Sequence, residues 1–72
     1  MTQKEMQTFL EAQGVAFSKV EGDDFSSVFH VNEADRNKVE ENKGEYEEKT
    51  GLAIMTSDNY GMSVVIMENN EE

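Results

Sequence analysis

The sequence predicts an α+β domain in which two β-hairpins form a four-stranded, mainly antiparallel sheet, in the order α-β-β-α-β-β. Three observations carry this reading. Residues 51–67 are the densest apolar stretch of the chain and are interrupted once, by the turn formers Asp58, Asn59 and Gly61. Residues 15–31 place β-branched and aromatic side chains on both sides of Glu21-Gly22-Asp23-Asp24. Each hairpin is preceded by a segment with helix-start signals, an N-terminal one and a polar middle one.

The N-terminal helix is announced by Thr2-Gln3-Lys4-Glu5, the spacing of a capping box, with Met1 and Met6 flanking it as a hydrophobic staple. Met6, Phe9, Leu10 and Gln13 fall on one helical face, and Gly14 suits the left-handed position beyond the last turn. In the first hairpin, a turn centred on Gly22-Asp23 sets Val20 opposite Phe25 and Phe17 opposite Val28. One side then collects Ala16, Val20, Phe25, Phe29 and Val31, and the other Val15, Phe17, Val28 and His30.

Asn32 to Lys49 reads as one polar helix, capped by Asn32 and ended by Gly51. Oppositely charged residues recur along it at three- or four-residue spacing, as in Asp35 and Lys38 or Glu45 and Lys49. Only Ala34, Val39 and Tyr46 offer apolar surface for burial. For the second hairpin, Gly61 at a positive φ implies a loop of three or five residues. Leu52, Ile54 and Thr56 then share the core side with Met62, Val64 and Ile66, leaving Ala53, Met55, Ser63, Val65 and Met67 on the other. The expected core is Phe9, Leu10, Phe17, Val28, Leu52, Ile54, Val64 and Ile66, while the strand order is open.

Length and composition bound the function. Seventy-two residues make a single small domain, assigned to 1–67, followed by an acidic tail at 68–72 read as disordered. A core of this size rarely supplies more than about 3–5 kcal/mol of net stability, and with no cysteine there is no disulfide or thiolate metal site to add to it. No apolar run approaches the roughly 20 residues that span a bilayer, and residues 1–14 show no signal pattern, so a cytoplasmic protein is expected.

The sixteen acidic and six basic residues give a net charge of −10. Such a surface repels nucleic acid and anionic lipid and attracts basic proteins. No catalytic nucleophile, phosphate-binding glycine loop or metal cluster is present in the pattern, so no enzyme activity, cofactor or metal is expected. Glu21-Gly22-Asp23-Asp24 lacks the spacing of a calcium loop, and His30 has no carboxylate placed by the pattern to orient it.

These readings point to a small acidic protein-binding module, regulatory or inhibitory in role, that docks on a larger protein partner with a basic surface. Glu21, Asp23 and Asp24 are the expected steering charges, and Tyr46, Met55 and Met67 the expected apolar contacts. One alternative is a nucleic-acid mimic that antagonises a basic nucleic-acid-binding protein. Seven acids against four bases between Asn32 and Lys49 leave only −3 there, so a mimic would act through loop tips and tail. The other alternative is a homodimer or larger assembly, formed through a sheet face that the helices leave bare.

Overall fold

Thr2 starts the first helix as its spacing predicts. A computed structural model describes residues 1–59 and 62–69. In it, helix α1 (Gln3–Ala12) opens with both bonds of the capping box: the Glu5 amide donates to Thr2 Oγ1 at 3.2 Å and the Thr2 amide to Glu5 Oε1 at 2.8 Å. Gly14 follows the helix at φ 80°, where a side chain would be strained, and Val15 is turned back into the core as its amide reaches Leu10 O.

Strands β1 (Phe17–Gly22) and β2 (Ser26–Val31) form the first hairpin. Its register differs from the expected one, with Val20 opposite Phe29 and Gly22 opposite Ser27. The Asp23 side chain explains the shift, because its Oδ1 accepts from the amides of Phe25 and Ser26 at 2.9 and 3.0 Å and organises the turn two residues later. Gly22 holds φ 98° at the strand end, where an added Cβ would stand 2.1 Å from Ser26 O. A bulge between Phe17 and Lys19 then rotates Phe17 onto the side of Val31, Val20 and Phe29, where it meets Phe29 edge-on at 5.3 Å.

The polar segment folds as two helices, α2 (Glu33–Glu41) and α3 (Lys43–Thr50), rather than one. Asn32 caps α2 through the Asp35 amide at 2.8 Å, as expected. The break comes at Asn42, whose Nδ2 donates to Lys38 O at 2.8 Å and whose backbone leaves helical geometry at φ −109°, ψ 15°. Gly51 ends α3 at φ 72°, with its amide bonded to Glu47 O. Of the charge pairs expected along this segment, Glu45 and Lys49 stand 3.6 Å apart, while Asp35 turns instead to the Ala16 amide at 3.1 Å.

Strands β3 (Leu52–Asn59) and β4 (Met62–Asn69) form the second hairpin, and the sheet order is β1-β2-β4-β3, antiparallel throughout. The element order is therefore α-β-β-α-α-β-β. Asn59 pairs with Met62, so two residues separate the strands and the odd-length loop is corrected; Gly61 itself lies outside the described residues. That single step exchanges the two faces of β4: Ile54 is opposite Met67, and Thr56 opposite Val65. Glu68 and Asn69, expected in an acidic tail, are the last two residues of β4, and 70–72 lie outside the described residues.

All three described helices pack on one side of this sheet. Met6 and Leu10 from α1, Val39 from α2 and Tyr46 from α3 meet Val15, Phe29, Leu52, Ile54, Val65 and Met67 in one buried cluster. Each large apolar side chain buried there contributes about 1.5–3 kcal/mol relative to exposure. Leu10, Leu52 and Ile54 stand where the sequence places them, and Phe9 and Phe17 pack at the cluster's margin. Val28, Val64 and Ile66, expected in this core, lie on the opposite face because of the register.

Candidate interaction surface

The alternation of β2 and β4 sends every second side chain away from the helices. Val28, Ile66 and Met55 line up across β2, β4 and β3 as one row, and His30, Val64 and Ser57 form the next. Ser26, Glu68 and Ala53 make a third row, and Met62 continues the apolar surface along β4. No described element covers this face. Val28, Val64, Ile66 and Ala53 are half-buried by their own neighbours, whereas Met55 and Met62 are 43% and 54% exposed. An apolar row this continuous on a chain of such charge is the kind of patch that marks a protein interaction site.

Polar groups rim the apolar rows. On the β1 side, His30 Nε2 lies 2.6 Å from Glu21 Oε2, with Lys19 Nζ 3.8 Å from the other carboxylate oxygen. The hydrogen bond from His30, reinforced by the Lys19 charge, holds the Glu21 carboxyl below its ordinary pKa. At the end of the face next to the β1–β2 turn, Ser26 Oγ donates to Glu68 at 3.2 Å. Among the described residues no group of three or more His, Asp or Glu side chains is arranged to hold a metal ion, and no helix is long and apolar enough to cross a membrane.

The six residues expected at a partner surface do not assemble into one site. Met55 stands in the centre row of the open face, and Glu21 at its rim. Tyr46 and Met67 are corrected: they are 3% and 0% exposed in the helix-covered core, so neither is presented to a partner by the folded chain. Asp23 and Asp24 lie in the β1–β2 turn with structural bonds. Asp23 organises the turn, and Asp24 Oδ1 accepts from the Gln3 amide at 2.9 Å, one of the donors that the start of α1 leaves free.

No protein-family model matches the chain, and neither a curated protein nor a solved structure is detectably similar to it. Geometry and chemistry alone therefore define the surface. Val28, Val64 and Ile66 are the members that the sequence reading missed, since it assigned them to the core. For β4 the signal that separates the two faces is the loop length between β3 and β4, and a two-residue connection would have placed Val64 and Ile66 correctly, whereas Val28 follows only from the pairing of β2 with β4.

Proposed function

We propose that the chain is a small acidic protein-binding module, regulatory or inhibitory in role, that docks on another, larger protein through its open sheet face. The observation that supports this reading is the bare row of Val28, Ile66 and Met55, flanked by Val64 and Met62, on a sheet whose other side is filled by helices. Anchoring falls to these side chains, because desolvated apolar contacts carry most of an interface's affinity. The net charge of −10 acts at longer range, favouring partners with basic surface and raising the rate of encounter. Two of the loop-tip carboxylates on which a nucleic-acid mimic would depend, Asp23 and Asp24, accept backbone hydrogen bonds, which ties them to the turn and to the start of α1.

A photo-crosslinking side chain at Met55, compared with one at exposed Glu48 on α3, tests this in cells that produce the chain. Covalent adducts with a different protein are expected from position 55 and not from position 48. Adducts that form from position 48 alone would move docking to the helix layer and end the proposal.

A further inference from the structure

We infer that a second copy of this chain covers the open sheet face when the protein is free, two sheets stacking face to face with their helix layers outward. The inference rests on the reading that this face is the docking surface, and it names the first occupant. Charge distribution carries it. Of the residues that the strands direct to this side, only Lys19, Glu21 and Glu68 are ordinarily charged, and Glu21 is bonded to His30. The three helices, by contrast, hold nine acids and five bases. A molecule of net charge −10 repels its own kind over most of its surface, and the open face is where another copy meets least of that field.

Stacking also keeps the acidic layers apart. Packed sheets lie about 10 Å from each other, and a helix layer sits roughly 10 Å beyond each, so the two helix layers are roughly 30 Å apart. At physiological salt the screening length is about 8 Å, so their mutual repulsion is largely removed. Rows of Val28, His30, Val64 and Ile66 give the even relief that aligned sheets need, and Met55 and Met62 bring flexible thioethers to its margin. Four strands at about 4.8 Å spacing and about six residues each give a flat footprint on the order of 400 Å² per copy. Side-chain relief enlarges this, but the interface stays at or below the roughly 800 Å² per partner of a standard interface, so the dimer is weak and exchanges with a partner.

A basic partner and a second copy respond oppositely to salt, which makes the occupant identifiable. Sedimentation of the purified full chain over a concentration series is the measurement, at about 0.01 M and about 1 M salt, where the screening length is roughly 30 Å and 3 Å. The expected result is a reversible monomer–dimer equilibrium that is at least about tenfold tighter at the higher salt. Met55→Glu and Ser57→Arg, both at exposed positions, should each leave the chain monomeric with an unchanged circular dichroism spectrum. A monomer under all conditions would overturn the inference, as would a dimer that tightens at low salt or one that both variants leave intact. A monomeric pure chain whose position 55 still crosslinks to a different protein removes only the second copy. A dimer with no foreign adduct supports the second copy and removes the larger partner.

Discussion

At the scale of single residues, short-range chemistry decides most of what is seen. Thr2 and Glu5 exchange hydrogen bonds across the first turn of α1, and the bond that the Thr2 amide donates to the carboxylate, with the neighbouring Thr2 side chain second, holds the Glu5 carboxyl below its ordinary pKa. A carboxyl whose pKa falls on folding adds stability above its unfolded pKa, and that stability is lost as the pH drops through the folded value. The stability difference between the native chain and Glu5→Gln, read from urea midpoints, should thus be constant at neutral pH and shrink on acidification below the ordinary carboxylate range. A difference that does not vary with pH would show that the box works without the carboxylate's charge. Thr2→Ala should cost about 1 kcal/mol as a lost cap. Such features are legible in the sequence because donor and acceptor lie within one turn of chain; the caps at Thr2 and Asn32 and the left-handed glycines at 14 and 51 were all readable for this reason.

At the scale of elements, legibility depends on how far a pattern must be carried. Strand positions in 52–67 follow from composition, yet the face of β4 depends on one residue of loop length, and an alternating pattern that is apolar on both sides cannot correct an error there. Val65 and Val64 make the outcome measurable. Val65 is fully buried against the helices, and Val64 is half-buried on the open face. Val65→Ala should cost about 2 kcal/mol, and Val64→Ala less than about 1, in denaturant midpoints taken at equal m-value. Equal losses, or the reverse order, would return Val64 to the core. Two further element-scale features lay beyond sequence pattern. The break at Asn42 rests on a side chain bonding back to Lys38 O, a contact that competes with the helix without interrupting its periodicity. The outer edge of β3 is guarded by Glu47 and Thr50, which accept from the Ile54 and Leu52 amides at 3.0 and 3.2 Å. Those acceptors occupy positions that an added strand would need, which directs association toward the face rather than that part of the edge.

At the scale of the whole molecule, the charge excess acts against the compact state. Among the described residues, Lys and Arg form three ion pairs with carboxylates, Lys19–Glu21, Arg36–Glu40 and Lys49–Glu45, and His30 adds a fourth with Glu21 when protonated. Every carboxylate in these pairs is half-exposed, a setting in which a pair contributes about 0–1 kcal/mol. Repulsion within a net charge of −10 is not offset by so few pairs, so screening should stabilise the fold. The melting temperature is therefore expected to rise with sodium chloride at pH 7, by about 4–8 °C for each kcal/mol of repulsion relieved in a domain of this size. The proposed dimer would also strengthen with salt and raise the apparent melting temperature by mass action, which would imitate this effect. Working with Ser57→Arg at low concentration removes that contribution and leaves intramolecular repulsion alone. A melting temperature that still rises locates the repulsion within one chain, whereas one that falls would mean that the local pairs outweigh the net charge.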